Sequence, residues 1–246
     1  MMVYFYLLWI FGYILLLVLL ARKWPAEKRA SLKKPADLPS ISLIIPFRNE
    51  VEKVETLLAE LRKVAPEIKE ILLVDDQSED ASFSLFSEKA QSNSKIRLHQ
   101  SPGIGKKAAL DYGIQQANGE IILTSDADCF FTEGWAKEMA APFLDSQVQL
   151  VAGPVLTKAD PRIFPEVFQQ MDWASILLVT QFSFQSRKPL MCSGANLAFR
   201  KSAFARVGGY TGNQHLPSGD DEFLLKKING EFGPEACIYL PIKEAL

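Results

Sequence analysis

Two acidic clusters, Asp75-Asp76 and Asp126-Ala127-Asp128, each follow a short apolar run in this chain of 246 residues. The runs, Ile71-Leu72-Leu73-Val74 and Ile121-Ile122-Leu123, read as buried strands of a parallel sheet. Ligands of such sheets bind beyond the carboxyl ends of the strands, so four carboxylates are expected to converge on one crevice. Packed carboxylates repel one another and lose solvation unless a cation or hydrogen-bond donors compensate. Two aspartates spaced D-x-D in a turn can both face one divalent cation. Mg2+ and Mn2+ accept such oxygen ligands and keep substrate phosphates in the rest of their shell. Asp126 and Asp128 are therefore candidate metal ligands, and the metal implies a phosphate-bearing substrate. A solvated acidic turn is the plainer alternative.

Other polar groups extend this chemistry. A carboxylate of the Asp75-Asp76 pair can accept hydrogen bonds from a nucleobase or ribose; alternatively, Asp76 or Ser78 caps the next helix. Gly103-Ile104-Gly105-Lys106-Lys107 resembles parts of two phosphate-binding motifs and completes neither. Lys107 stands where a P-loop needs Ser or Thr, Gln100 where it needs its first Gly, and Ala108 where a dinucleotide fingerprint needs its third. Lys106 can still reach a diphosphate from a helix start, although exposed lysines are common. A third cluster, Asp220-Asp221-Glu222, follows Ser218-Gly219. Carboxylates there oppose the helix dipole, or one of them acts as a general base.

These groups need a scaffold, and the hydrophobic pattern supplies one. A strand over 41–45, ended by Pro46, leads through Asn49-Glu50 into an amphipathic helix with Val54, Leu57, Leu58 and Leu61 on one face. A strand over 70–74, a helix near 80–91, a strand near 95–99, a helix over 106–117 and a strand over 120–124 follow. This alternation predicts an α/β fold with a Rossmann-like, mostly parallel sheet and flanking helices. The second half is less regular. It gives a strand near 148–153, a helix over 166–184, a strand over 197–200 and a helix over 221–229. In the long helix Trp173, Ile176, Leu177, Thr180 and Phe184 fall near one face, as a core stripe or as a face at a membrane interface.

Net charge is −2 and the pI about 5.8, which gives no sign of nucleic-acid affinity. Three scattered cysteines, Cys129, Cys192 and Cys237, argue against a disulfide scaffold or zinc site and fit a reducing compartment. Residues 1–21 carry no charge, and such a helix would span roughly 30 Å, the thickness of a hydrocarbon core. No basic residue precedes this run and no small-residue cleavage site follows, so an anchor is favoured over a signal peptide. Arg22, Lys23, Lys28, Arg29, Lys33 and Lys34 mark the following flank as cytoplasmic. The organisation expected is a transmembrane anchor at 1–21, a basic linker at 22–40 and a catalytic domain over 41–246.

In order and spacing, these pieces resemble family 2 glycosyltransferases, inverting enzymes with a GT-A fold. ISLIIPFRNE is similar to their opening strand, EILLVDDQSED to their nucleotide-binding turn and GIGKKAAL to their lysine-bearing helix start. TSDAD resembles the metal motif, SGANLAFRKSAF with VGGY the acceptor-side loop, and SGDDEFLL the catalytic-base motif. The resemblance implies a nucleotide-sugar donor, UDP-linked, and a lipid or glycan acceptor at the cytoplasmic face of the cell membrane. It implies that Asp76, with Asp75, contacts uridine, and that Pro46, Arg48 and Glu50 lie near the nucleotide. Asp126 would sit near the ribose and sugar, Asp128 on the metal, Gly194 and Asn196 in the acceptor-side loop, and Asp220 would be the base. Gly219 stands where the family commonly has Glu, which keeps Asp221 as a substitute. The Q-x-x-R-W segment of the membrane-bound synthases is absent, and the chain is expected to be incomplete after Leu246. Two rivals remain at this level: a sugar-1-phosphate nucleotidyltransferase, and a non-catalytic nucleotide-sugar-binding membrane module.

Overall fold

The apolar runs of the first half fold as four parallel strands: β1 (Ile41–Phe47), β2 (Glu70–Asp75), β3 (Ile96–Gln100) and β4 (Ile121–Thr124). An N-terminal helix, α1 (Met2–Arg22), precedes them, and α2 (Val54–Val64), α3 (Ser82–Lys89) and α4 (Lys106–Gln116) connect them. These details come from a computed structural model, which describes residues 2–22, 38–157, 160–213, 216 and 219–240. Most of the expected linker and the last six residues lie outside the described residues.

The second half adds α5 (Trp135–Ala140), β5 (Leu150–Ala152), α6 (Phe164–Gln185), β6 (Leu197–Arg200), α7 (Lys201–Arg206), α8 (Asp220–Phe232) and β7 (Cys237–Tyr239). All seven strands join one sheet in the order β3-β2-β1-β4-β6-β5-β7. Only β6 runs against its neighbours, antiparallel to both β4 and β5. One apolar cluster covers each face of the sheet. The first packs α2, α3 and α5 through Leu57, Leu61, Phe86, Trp135 and Met139. The second packs α4 and α8 through Leu110, Ile114, Leu224, Leu225 and Ile228.

Three sequence expectations are refined. Pro46 does not end β1, which continues to Phe47 and pairs Pro46 with Val74 of β2. Pairing with β4 stops at Ile44↔Thr124, so the N–H that proline lacks faces a side where no ladder bond is required. The helix expected from 221 begins at Asp220, because Gly219 takes the left-handed conformation (φ 77°) that launches it. In α6, Thr180 and Phe184 are buried and Trp173, Ile176 and Leu177 half-buried, so that stripe is the core-facing one.

The edge of the sheet opposite the acidic clusters is closed by a buried polar latch. Ser42 Oγ donates to Glu70 Oε1 at 2.6 Å, the backbone N–H of Asn118 donates to the same carboxylate, and Gly119 N donates to Ser42 Oγ at 2.7 Å. Arg97 pairs with Glu70 at 2.8 Å. Burial pushes the Glu70 carboxyl up, but the Ser42 and Asn118 donors and the Arg97 charge outweigh it and hold the pKa below the ordinary glutamate value. A carboxylate so depressed stabilises the fold above its unfolded-state pKa, and that contribution disappears as pH falls through its folded-state pKa. Glu70→Gln is expected to cost about 1.5–3 kcal/mol at neutral pH. In chemical denaturation of the detergent-solubilised chain, the deficit should shrink on acidification.

Candidate active site

The carboxyl ends of β1, β2 and β4 meet on one edge of the sheet, and each is fixed by short-range hydrogen bonds. After β1, Asn49 takes a positive φ of 54°. Its backbone N–H donates to Ser78 Oγ at 3.0 Å, and its Oδ1 accepts from Glu79 N at 2.8 Å. Glu50 N donates to Ser82 Oγ at 2.7 Å and Val51 N to Asp80 Oδ2 at 3.3 Å. The 49–51 turn is thereby locked onto the turn that follows β2, with Glu50 beside the opening. Lys53 links that turn to the Asp126-Ala127-Asp128 turn, 2.9 Å from Glu50 Oε2 and 3.7 Å from Asp128 Oδ2. Its hydrogen bond to Glu50 and the nearby carboxylates raise its pKa against a smaller burial effect.

The two aspartates at the end of β2 separate sharply. Asp75 is fully buried, and its carboxylate accepts from Ser78 N at 3.0 Å and Gln100 Nε2 at 3.1 Å. Asp76 is also largely buried but lines the cavity at this edge, and its Oδ1 accepts from Gly105 N at 2.6 Å. That bond ties the end of β2 to the turn that begins α4. Gly105 there has φ 99°, a conformation any larger residue would adopt only with strain. From the first position of α4, Lys106 Nζ reaches Asp126 Oδ1 at 2.5 Å. Burial pulls the Lys106 ammonium down, but Asp126, Asp220 and Asp221 outweigh it and hold its pKa above the ordinary lysine value.

The third acidic cluster, in the first turn of α8, is tied to the sheet through the Gly194 turn that precedes β6. Thr124 Oγ1, at the end of β4, donates to Gly194 O at 2.7 Å, and Gly194 N donates to Asp221 Oδ2 at 2.8 Å. A Cβ at Gly194 would stand 3.5 Å from Asp220 Oδ2, so this residue lies directly against the acidic pair. Asp221 also accepts from Glu222 N at 2.7 Å, which commits both its oxygens to protein donors. Asp220 is nine-tenths buried. Burial and then the Asp221 charge raise its pKa above the ordinary carboxylate value, while Lys106 and Lys107 draw it back.

Pro46, Glu50, Asp76, Lys106, Asp126 and Asp128 thus line one open cavity of about 260 Å3. Asp220, Asp221 and Gly194 form a second group, coupled to the first through Lys106. Asp75 and Asn196 are not brought to the surface. Asn196 is fully buried, its Oδ1 accepting from Trp135 Nε1 at 3.0 Å and its Nδ2 donating to Pro154 O at 2.8 Å. A larger cavity of about 550 Å3 is bounded by the 102–108 turn, Asp111, Tyr112 and Tyr210, without Asp126 or Asp128 in its wall. Among the described residues no group of three or more His, Cys, Asp or Glu side chains forms a cation cage. Asp126 and Asp128 nevertheless fit a hard cation that draws its other ligands from a phosphate and water: both are oxygen donors on one wall, and the Asp128 side chain is 62% exposed.

Lys107 was not among the residues expected from the sequence, yet it is buried and donates to Asn213 O at 2.9 Å and Leu216 O at 2.7 Å. Asn213 Nδ2 in turn donates to Gly219 O at 3.0 Å, immediately before Asp220. The available signal was helical spacing: Lys107 shares a face with Leu110 and Ile114, which are core residues.

The Glycosyl transferase family 2 model matches residues 42–208, more than half of the chain. The undecaprenyl-phosphate 4-deoxy-4-formamido-L-arabinose transferase of Pectobacterium atrosepticum is 38% identical over 98 residues, 37% of this chain and 30% of that protein. The poly-beta-1,6-N-acetyl-D-glucosamine synthase of Staphylococcus aureus is 27% identical over 189 residues, 74% of this chain and 46% of that protein. The chain therefore spans less than half the length of these curated relatives. Among solved structures, a mannosyltransferase from Pyrobaculum calidifontis in complex with GDP-Man and Mn2+ superposes with a TM-score of 0.69 at 21% identity, covering 94% of this chain and 63% of its own. Glucosyl-3-phosphoglycerate synthase from Mycobacterium tuberculosis, in complex with Mn2+, UDP and its product, gives 0.58 at 17% identity, covering 89% and 76%. These likenesses establish the GT-A fold, and the family match carries the classification: the chain belongs to glycosyl transferase family 2.

Proposed function

We propose that this chain transfers a sugar from a nucleotide-sugar donor, UDP-linked, to a lipid or glycan hydroxyl with inversion at the anomeric carbon. The observation that carries the reading is the position of Lys106. One ammonium is paired with Asp126 at 2.5 Å and is also under the field of Asp220 and Asp221. A cation between a donor-side and an acceptor-side carboxylate cluster suits a reaction in which a diphosphate leaves on one side and a hydroxyl attacks from the other. The named activities of the relatives, one on undecaprenyl phosphate and one building a glycan, support the acceptor class. With α1 as a membrane anchor, the reaction would run at the cytoplasmic face.

In this reading Glu50 and Pro46 border the nucleotide, Asp76 accepts from the base or ribose, and Asp75 serves beneath it as a positioning residue. Asp126 and Asp128 would hold Mg2+ or Mn2+, which neutralises charge on the departing diphosphate. Lys106 adds a second positive charge there. Asp220 takes the proton as the acceptor oxygen attacks the anomeric carbon, and the bond from that carbon to the diphosphate oxygen breaks. Asp221 and Asn196 hold the Gly194 turn against the acceptor. A base must be ionised to act, so the raised pKa of Asp220 moves the acid limb of the pH–rate profile upward.

Asp220→Asn is expected to lower turnover by about 10²–10⁴-fold while leaving UDP affinity in the presence of Mn2+ close to native. Unchanged turnover would sink the assignment. Because the Asp220 pKa is raised in the fold, its ionisation costs stability as pH rises through that value. The same variant should therefore gain stability at neutral pH, by about 0.5–2 kcal/mol, and lose the advantage in acid. Products discriminate reaction class: nucleoside diphosphate release supports transfer, and pyrophosphate release would show a nucleotidyltransferase. Removing the Lys107 strap by Lys107→Met should cost about 1.5–3 kcal/mol of stability. It should also depress kcat more than donor KM, since the strap leads to Asp220 rather than to the nucleotide cavity.

A further inference from the structure

Helix α6 is apolar on two opposite faces. Its inner face buries Thr180 and Phe184 against the domain. At 100° per residue, Phe164, Phe168, Met171 and Phe182 fall within a wedge of about 60° on the other side. These four are 78%, 62%, 67% and 39% exposed. A surface helix normally carries a single apolar stripe, and a continuous exposed set of large apolar side chains marks a contact surface.

The neighbourhood of α6 identifies what covers that face. Helix α1, which is 21 residues long, strongly apolar and exposed along most of its length, is in contact with it. Within α1, Leu17 and Leu20 are the two residues that are not exposed, and both lie in the last turns before Arg22. If α1 spans a bilayer, those turns sit at headgroup depth, and α6 meets α1 at the same level. Both ends of α6 carry exposed polar groups, the Arg162–Asp160 ion pair before it and the Arg187–Glu235 pair and Lys188 after it, which suit headgroup depth at either end of an apolar face.

We propose that α6 lies along the membrane surface with Phe164, Phe168, Met171 and Phe182 in the acyl region, so that the domain is held by a second lipid contact as well as by its anchor. The helix is a two-sided wedge, packed on the sheet by one face and on phospholipid by the other. The inference rests on α1 being a membrane helix and is independent of the reaction catalysed. One consequence concerns access. A cavity of about 220 Å3 lies under α6, with Trp173, Ile176, Leu177 and Asp221 in its wall. The side of the site that carries Asp221 is thereby turned toward the membrane.

The test uses the full chain reconstituted in phosphatidylethanolamine–phosphatidylglycerol vesicles doped with a phospholipid bearing a photoactivatable diazirine in its acyl chain. Adducts are mapped by peptide mass spectrometry. Labelling of α1 and of the outer residues of α6, with α3 unlabelled, is the expected result. Phe168→Asp combined with Met171→Asp should abolish the α6 adducts and leave those on α1. Labelled α1 with unlabelled α6 would overturn the proposal, and would point to a protein partner or second copy on that face. An unlabelled α1 would remove its premise and overturn it equally. Neither result reads turnover, so the transferase assignment stands or falls separately.

Discussion

The site is built around the cost of keeping carboxylates together. Glu50, Asp76, Asp126 and Asp128 share one cavity, and the charges of Asp126, Asp220 and Asp221 all act on Lys106. Two unit charges 4 Å apart interact by about 4 kcal/mol at an effective dielectric constant of 20, so an unbalanced cluster would consume much of a domain's stability. Three lysines offset it. Lys53 stands between Glu50 and Asp128, Lys106 on Asp126, and Lys107 beneath the approach to Asp220. Asp220 keeps the residual cost: burial first, and then the Asp221 charge, raise its pKa above the ordinary carboxylate value. A strained carboxylate is a useful one, because a base that is costly to ionise gains most when it takes a proton.

The topology follows from that arrangement. Four parallel strands end on the same edge, and the turns after β1, β2 and β4 carry Glu50, Asp76, Asp126 and Asp128 there. A fifth parallel strand beside β4 would bring only its own carboxyl end there. Because β6 is antiparallel, its start rather than its end lies at the site, in the register Thr124↔Leu197, and the Gly194 turn comes with it. Helices α4 and α8 pack in one apolar cluster on one face and both begin at this edge. Their amino-terminal dipoles therefore add positive potential where the acidic groups collect. The opposite edge needs no such opening and is sealed by the Ser42–Glu70–Asn118 latch.

Much of this was legible in the sequence because it is local. Short β-branched runs followed by acidic pairs identify strands and their ends, and the spacing of Val54, Leu57, Leu58 and Leu61 identifies α2. What was not legible depends on pairs distant in sequence. The sequence cannot distinguish Asp75 from Asp76, since Asp75 is enclosed in the sheet between Phe47 of β1 and Gln100 of β3, while Asp76 lines the cavity. Asn196 reads as an acceptor-loop residue until Trp135 and Pro154 are seen to consume its side chain. Lys107 looks like a spare charge beside Lys106, because its partners are backbone carbonyls more than a hundred residues away. In α6 the opposite failure occurs. The apolar stripe chosen from spacing was real, but a second one on the far side escaped a search for a single periodic face.

That second stripe bears on how the chain can work at a membrane at all. A domain held at a bilayer by one helix alone keeps rotational freedom, and its active edge can face several ways relative to the bilayer. A second contact through α6 removes most of that freedom, and α6 is poised to exert it because its inner face is fixed to the sheet through Phe184 and Tyr239. The cavity holding Asp221 lies on the domain side of the same helix. Orientation and acceptor access would then be set by a single element, with the hydrophobic effect supplying on the lipid side what the carboxylate–lysine balance supplies within the site.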